Sequence, residues 1–368
     1  MLILKITGVE AIILNTGSKR KVSDALHTYD AGGCVVTKVF TDEGITGYAT
    51  TGIGRVGATC DIVKVILEKE LAPLLIGEDP FFSRKIRQKL WGSADYHGVE
   101  GVAQFAIAAL DTCVWDIVGK ALGKPTGLVV GAHRDRIPAY AMVGWYYETE
   151  KEYVDRCVEA VEEGFRALKL KVGKYSLEDD IRRIKQIQNE VGPNIRLMVD
   201  ANQAFDEVEA LTRGKAYEEL GMYWYEEPMI PQHKESQARL SAKLSIPLAI
   251  GENYYTRYEF YDAVRTGAAS IYQPDNRRAG GLTEWLDIAA ITEAAGLKLA
   301  SHGGGPANVN ALCAIPNAIY LESGSLKNQD NSMYVTKLKM ENGEILLPDT
   351  PGMGTEVSET FIAKYRIS

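Results

Sequence analysis

The sequence predicts an α/β protein with a (β/α)8 barrel of the TIM type, preceded by a separate α+β capping region. From about residue 138, short apolar runs rich in β-forming residues alternate with longer amphipathic segments. This alternation is typical of parallel strands joined by crossover helices. Eight such runs occur, which is the number that closes a barrel. An open doubly wound sheet would need fewer strands and an early glycine-rich nucleotide turn.

Each element follows from the local pattern. Before the barrel, strands are predicted at 2–6 and 34–41 and helices at 59–71, 80–91 and 102–121. The eight barrel strands are predicted at 138–145, 167–172, 196–200, 222–227, 248–252, 270–275, 298–302 and 318–323. Helices are expected between them, for example at 177–191 and 282–296. We therefore expect a capping domain at 1–130, a catalytic barrel at 131–325, and a C-terminal segment at 326–368 that returns to the capping domain.

Composition excludes several classes of partner. The 368 residues include 41 Lys plus Arg and 49 Asp plus Glu, a net charge of −8, and no long basic run. Nucleic acids and anionic membranes both select concentrated positive charge, so neither is an expected partner. The first fourteen residues are interrupted by Lys5 and Glu10 and lead to no cleavage site, so they predict an edge strand rather than a signal peptide.

Cysteine usage and hydropathy predict the compartment. The five cysteines are widely spaced and form no C-x-x-C pair, which favours free thiols that fill apolar space in a reducing environment. No run of about eighteen apolar residues occurs, so a membrane span is not expected. We expect a cytoplasmic protein.

Seven consecutive predicted strands carry an ionisable residue at the carboxyl end, where barrel enzymes place their catalytic groups. Three of these residues, Asp200, Glu226 and Glu252, recur at equal spacing, since 226 − 200 and 252 − 226 are both 26. One β/α unit has about this length, so the carboxylates fall at equivalent points of adjacent strands. Three carboxylates this close repel one another unless a cation lies between them. An oxygen-only ligand set favours Mg²⁺ over Zn²⁺.

The second strand contains Lys169 and Lys171 in the run ALKLKVG. Residues two apart on a strand share one face, and here that face is the barrel interior. Adjacent ammonium groups lower each other's proton affinity, so we expect one lysine to be available as a neutral base.

Opposite these lysines, Asp275 ends the sixth strand and His302 the seventh. Neighbouring strands would let the carboxylate orient the imidazole and raise its basicity. The glycines that follow His302 leave space above the ring for a ligand. Glu322, at the end of the eighth strand, is expected to donate a hydrogen bond to an anionic intermediate if its neighbours keep it protonated.

As a set, these motifs resemble the mandelate racemase subgroup of the enolase superfamily, and the resemblance covers nearly the whole chain. It implies a modified, enolase-like barrel whose capping domain is completed by the tail, and an even-numbered homo-oligomer. It further implies one Mg²⁺ per subunit, held by Asp200, Glu226 and Glu252. Lys171 would be one base and the His302–Asp275 pair the other, on the opposite face. Lys169 and Glu322 would stabilise the enediolate intermediate.

The substrate is expected to be a small carboxylic acid whose distal end meets loops of the capping region. Basic and hydroxyl-bearing residues at 18–33 and 50–57 suit a polyhydroxy acid better than an aryl group. Side chains expected to bind substrate are Asn202, Tyr29, Arg55, Tyr96, His97 and Tyr254.

Dehydration of an aldonic or aldaric acid to a 2-keto-3-deoxy acid is the first hypothesis. A racemase, epimerase or cycloisomerase would use the same residues and stays open. A metal-dependent barrel hydrolase would ordinarily need a His-x-His pair on the first strand, which PAYAMVGWY lacks. A binding or structural protein on the same fold is the remaining alternative.

Overall fold

The structure is a computed structural model that describes residues 4–17, 21–29, 32–52, 58–147, 149–327, 329 and 332–367. Two main bodies of secondary structure are found, an N-terminal α+β region and a barrel, followed by a C-terminal segment that touches both.

The N-terminal region is a small antiparallel sheet packed on helices. Its strands are β1 (Ile6–Asn15), β2 (Val22–Ser23), β3 (Thr28–Tyr29), β4 (Gly33–Thr41) and β5 (Thr46–Thr51). The order β1-β4-β5 forms the sheet, and β2 and β3 form a separate hairpin. The helices are α1 (Ala58–Val65), α2 (Ala72–Leu75), α3 (Ser83–Ser93), α4 (Val102–Ala121) and α5 (Thr126–Val129), with a π-helical segment at Ile66–Leu71 and 3₁₀ turns at Pro80–Phe82 and Asp95–His97.

Helix α4 is the core of this region. Among the described residues it alone is long and apolar enough to cross a membrane by length and composition. The share of its most apolar window that is buried inside the protein is 89%. Its apolar surface therefore packs on other parts of the chain, such as Val39 of β4 and Cys60 of α1, which belong to the same core cluster.

The second body is a closed parallel barrel, as predicted. Its strands are β6 (Arg136–Gly144), β7 (Ala167–Lys171), β8 (Arg196–Asp200), β9 (Tyr225–Glu226), β10 (Leu248–Ile250), β11 (Ile271–Tyr272), β12 (Lys298–Ala300) and β13 (Ala318–Ser323). They lie side by side in chain order, and β13 pairs with β6 to close the ring. The intervening helices are α6 (Glu150–Glu163), α7 (Leu177–Val191), α8 (Glu207–Glu219), α9 (Lys234–Ser241), α10 (Arg257–Thr266), α11 (Leu282–Ala294) and α12 (Pro306–Ala314).

Local sequence explains where the barrel helices begin. The side chains of Thr149, Ser176 and Asp206 accept hydrogen bonds from backbone N–H groups in the first turns of α6, α7 and α8. Such caps satisfy donors that the helix itself cannot pair. Each helix therefore starts soon after a strand ends, which keeps the loops at the strands' carboxyl ends short.

Several strands are shorter than predicted. β11 ends at Tyr272 and β12 at Ala300, so Asp275 and His302 lie beyond the regular strands. An isolated parallel bridge still pairs Asp275 with His302. Asp275 and His302 therefore lie on irregular backbone just past the ends of the strands, where an isolated bridge replaces regular strand pairing.

The C-terminal segment contacts both bodies. It contains β14 (Met340–Glu341), β15 (Glu344–Leu346) and α13 (Glu359–Tyr365). β15 pairs antiparallel with β6, the first barrel strand. Farther along, Met353 N donates to the Asp116 carboxylate of α4, and Ile367 N donates to the carbonyl of Ile13. The division of the chain at residues 130 and 325 stays a prediction.

Candidate active site at the barrel rim

The eight predicted rim residues converge on one end of the barrel. β7 carries the two lysines, β8 and β9 end at Asp200 and Glu226, and Glu252 follows β10 by two residues. Asp275 and His302 follow β11 and β12, and Glu322 lies on β13. Because all eight strands are parallel, their carboxyl ends open on the same face.

Three carboxylates form the centre of this rim. One oxygen from each of Asp200, Glu226 and Glu252 lies within 4.8 Å of the other two. Burial, together with the neighbouring Asp200 and Glu252 carboxylates, raises the pKa of Glu226 to about 8. The Oε2 atom of Glu252 accepts no hydrogen bond from the described residues although it is buried. An oxygen-only cluster with such an unpaired buried oxygen fits a hard divalent cation such as Mg²⁺.

Neighbouring groups fix two of the carboxylates in place. Glu226 Oε2 accepts hydrogen bonds from Trp224 Nε1 at 3.0 Å and Gln273 Nε2 at 2.9 Å. Asp200 Oδ1 accepts from the backbone N–H of Asn202 at 3.0 Å. Asn202 itself has a left-handed backbone, with φ of 44°, which is uncommon outside glycine and is often associated with functional sites.

The lysines face this cluster. Lys171 Nζ donates to Asp200 Oδ2 at 2.6 Å. Lys169 Nζ donates to Glu226 Oε1 and Glu322 Oε2, both at 2.6 Å. Burial lowers the pKa of each lysine, but the facing carboxylates outweigh burial and raise both pKa values above the ordinary range. The prediction that one lysine is neutral is therefore wrong for this structure, because the carboxylates dominate over the second ammonium.

On the opposite side, His302 pairs with Asp275. His302 Nδ1 lies 2.7 Å from Asp275 Oδ2, and His302 Nε2 lies 3.4 Å from Glu252 Oε2. Burial lowers the pKa of His302, but the charge of Glu252 and the hydrogen bond to Asp275 raise it above its usual value. The imidazole can therefore hold a proton near the carboxylate cluster.

Glu322 differs from its predicted state. Burial raises its pKa, but Lys169 and His302 overcome that effect and hold the pKa at about 2. Its carboxylate accepts hydrogen bonds from Lys169 Nζ, the Tyr140 hydroxyl and the Gly303 N–H. Glu322 is thus an ionised acceptor that orients Lys169, and the expectation of a protonated donor is wrong.

The capping region reaches the lysine side through aromatic rings. Tyr29 on β3 packs edge-on against Trp145, with 5.4 Å between ring centroids. Lys171 Nζ in turn lies 4.8 Å from the centroid of the Trp145 ring. The Trp145 ring therefore lies between Tyr29 and Lys171. Arg55, the other capping residue predicted to bind substrate, lies outside the described residues.

The remaining predicted substrate contacts fall into two groups. Asn202 is buried at the rim, and its side-chain oxygen has no hydrogen-bond partner among the described residues. Tyr96 is 97% exposed, and His97 Nε2 lies 2.6 Å from Glu70 within the capping region. Tyr254 is buried against Phe260, with 5.2 Å between the ring centroids. A binding role for Tyr96, His97 and Tyr254 stays a prediction that these contacts do not support.

Reasoning from the sequence missed four residues that shape the rim. Trp145 and Tyr140 come from β6 and its end, Gln273 precedes Asp275, and Arg277 donates to Asp275 from Nε at 3.0 Å and Nη2 at 2.7 Å. For two of these residues the run QPDNRR could have indicated a role, because it places an amide (Gln273) two residues before Asp275 and an arginine (Arg277) two residues after it. The aromatic residues gave no signal, since an apolar strand carries such rings for packing alone.

Comparison with known proteins agrees with this geometry. Residues 8–131 match the N-terminal domain of the mandelate racemase / muconate lactonizing enzyme family, and residues 152–361 match the enolase C-terminal domain-like family. The chain is 33% identical to arabinonate dehydratase of Saccharolobus solfataricus over 90% of each protein. It is 28% identical to D-galactarolactone cycloisomerase of Agrobacterium fabrum over 99% of each.

A solved structure gives the same result for the fold. L-talarate/galactarate dehydratase from Salmonella typhimurium LT2, liganded with Mg and L-lyxarohydroxamate, superposes with a TM-score of 0.92 at 28% identity. The match covers 100% of this chain and 94% of that one.

Proposed function

Because this chain belongs to the mandelate racemase and muconate lactonizing enzyme family of the enolase superfamily, we propose that it is a lyase that dehydrates a sugar acid. The substrate would be an aldonic or aldaric acid, the product a 2-keto-3-deoxy acid, and the cofactor Mg²⁺. Relatives named as dehydratases of such acids support this proposal. Cytoplasmic localisation and a homo-oligomeric state stay predictions.

One observation carries the proposal. Two groups able to transfer protons flank the carboxylate cluster from different sides. Lys171 Nζ lies 2.6 Å from Asp200, and His302 Nε2 lies 3.4 Å from Glu252. A substrate carboxylate held at the cluster would therefore present its α-carbon between two such groups, so that one can remove the α-proton and the other can protonate the leaving hydroxyl.

Asp200, Glu226 and Glu252 would hold the Mg²⁺. When bound, the ion supplies positive charge that offsets these carboxylates and the second negative charge that develops on the substrate carboxylate as the α-proton leaves. Lys169, held by Glu226 and Glu322, adds a fixed ammonium at the same place.

The side chains then divide the proton transfers. His302 or Lys171, once it has given up its own proton, removes the proton from C2 and leaves an enediolate. For Lys171 this requires that a bound cation offset the charge of Asp200, which raises the pKa of Lys171 in this structure. A protonated side chain delivers a proton to the hydroxyl at C3, which departs as water. The resulting enol takes up a proton at C3, releases the proton of its C2 hydroxyl to solvent and becomes the 2-keto-3-deoxy acid. Asp275 keeps the His302 ring oriented during both transfers.

Cycloisomerisation of a sugar acid lactone is the second candidate, because the relative that matches 99% of the chain is a cycloisomerase. The same two bases serve that reaction. Racemisation or epimerisation at C2 would also use them.

Proton NMR in D₂O, with Mg²⁺ and a panel of aldonic and aldaric acids and their lactones, tests the proposal. A new 3-deoxy methylene signal with loss of substrate is the expected result. Deuterium entering C2 without elimination would indicate an isomerase instead. No change with any acid would contradict the assignment of sugar acids as substrates.

A further inference from the structure

Arg277 is a charged rim side chain that the mechanism above does not use. It follows Asp275 by two residues and donates to both of its carboxylate oxygens, from Nε to Oδ1 at 3.0 Å and from Nη2 to Oδ2 at 2.7 Å. Its side chain is nevertheless 39% exposed, whereas that of Asp275 is 4% exposed. Within the described residues, nothing accepts a hydrogen bond from Nη1. The guanidinium therefore keeps donors available at the mouth of the barrel.

The backbone makes room for this side chain. A Cβ atom built on Gly303 would lie 2.9 Å from Arg277 Nη2. Gly303 also has a φ of 73°, which side-chain-bearing residues rarely adopt. Because Gly303 directly follows His302, its lack of a side chain lets the guanidinium lie next to the His302 end of the site.

Arg277 also meets the capping region and the C-terminal segment. Arg277, Thr50 and Tyr334 line one small cavity, and the hydroxyls of Thr50 and Tyr334 lie 2.6 Å apart. Thr50 belongs to β5 of the capping region. Arg277 Nη2 and His302 Nδ1 both lie 2.7 Å from Asp275 Oδ2. A substrate that extends from the carboxylate cluster past His302 toward the cap would therefore come near Arg277.

The chemistry of the guanidinium selects an anion at that point. Arginine presents five N–H donors in a planar fork that matches a carboxylate, and Asp275 accepts only part of them. We propose that Arg277 binds a second carboxylate of the substrate, so that the enzyme prefers aldaric acids, which carry a carboxylate at both ends, over aldonic acids. This inference rests on the proposed sugar acid dehydration and narrows its substrate class.

A purely positioning role makes a different prediction. If Arg277 served only to hold Asp275 against His302, its loss would impair every substrate equally, because the same dyad acts on all of them. If it also binds the distal carboxylate, its loss impairs substrates that have one more strongly than substrates that lack one. The pair galactarate and galactonate separates these roles, since the two acids differ only in the group at C6.

The test measures kcat/KM for galactarate and galactonate in the wild type, Arg277→Met and Arg277→Lys. The wild type should favour galactarate. Arg277→Met should lower kcat/KM for both acids, because it removes the contacts to Asp275. It should lower the galactarate value by about 10- to 100-fold more than the galactonate value, mainly through KM, the size expected for a lost charge-assisted hydrogen bond. Arg277→Lys should fall between, because a point charge lacks the fork. Arg265→Met, which removes another exposed arginine paired with an aspartate, should change neither value.

A binding measurement keeps the inference testable whatever the turnover. Calorimetric titration of Mg²⁺-loaded Lys171→Met protein should show tighter binding of galactarate than of galactonate, and the added Arg277→Met change should abolish the difference. Equal losses for both acids, a wild-type preference for galactonate, or failure of galactarate to bind more tightly would each overturn the inference. Turnover of neither acid, with the binding preference intact, would contradict the proposed dehydration of these hexose acids and leave the role of Arg277 supported.

Discussion

The two sides of the site hold their proton-transfer groups differently. Lys171 is 6% exposed and donates directly to Asp200, one of the cluster carboxylates. His302 is 24% exposed and has a carboxylate of its own, Asp275, outside the cluster. Lys171 therefore pairs with the cluster itself, whereas His302 lies 3.4 Å from the cluster residue Glu252 and is held by a second carboxylate outside the cluster.

The comparison teaches that pairing with a carboxylate has two distinct effects here. At the lysine, the Asp200 carboxylate raises the proton affinity of Lys171, and the same carboxylate would also interact with any bound cation. At the histidine, the carboxylate mainly fixes the ring and its tautomer. We infer that metal binding acts on the lysine side through Asp200 and on the histidine side through Glu252, whose Oε2 lies 3.4 Å from His302 Nε2.

The largest expected effect comes from removing either base. Lys171→Met and His302→Asn should each lower kcat by about 10²- to 10⁴-fold, the usual range for general acid–base catalysis. Steady-state kinetics on the acid identified by NMR measures this loss, and circular dichroism checks that the fold is kept. Retained turnover in both variants would show that neither group transfers the proton.

Removal of a cluster carboxylate should act on the metal rather than on the fold. Glu252→Gln should weaken Mg²⁺ binding by at least about tenfold, because one of three negative charges is lost. The fold should persist, since Glu252 Oε2 makes no hydrogen bond to the described residues. Calorimetric titration with Mg²⁺ measures the change, and Glu341→Gln, on an exposed strand far along the chain, is the matched control. Unchanged affinity in Glu252→Gln would exclude this residue as a ligand.

Metal binding should also depend on pH. The pKa of Glu226 is about 8 without a cation, and a ligand carboxylate must be ionised. Below pH 8, Mg²⁺ binding should therefore release about one proton, and affinity should fall by up to about tenfold per pH unit; above that pH the dependence should level off. Titration at pH 7 in two buffers of different ionisation enthalpy counts the protons. Absence of proton release would mean that Glu226 is already ionised.

The smallest expected effect concerns the helix behind the lysine side. Arg183 of α7 donates to the backbone carbonyl of Lys171, and Ser176 caps that helix. Ser176→Ala should lower the free energy of unfolding by about 1 kcal/mol and leave the rate of proton transfer by His302 unchanged. Ser358→Ala, at a helix start whose side chain makes no capping bond, should cost less. Urea denaturation compares the two, and an equal cost would show that the cap contributes nothing specific.

The positions of the rim residues could be predicted from the sequence, but their ionisation states could not. Equal spacing of Asp200, Glu226 and Glu252 reflects the length of one β/α unit, so a linear pattern predicts a spatial cluster. The ionisation of Glu322 and the lysines depends on which charges face each other across the barrel, which spacing does not encode. Arg277 illustrates the same limit, because its importance depends on a cavity formed with Thr50 and Tyr334 from distant parts of the chain.

A crystal structure of Lys171→Met protein with Mg²⁺ and the sugar acid identified by NMR tests the central claim most directly. We expect Asp200, Glu226 and Glu252 to contact the cation, and the substrate C2 atom to lie between His302 Nε2 and the side chain at position 171. A cation bound elsewhere, or a substrate whose C2 atom faces neither residue, would contradict the account.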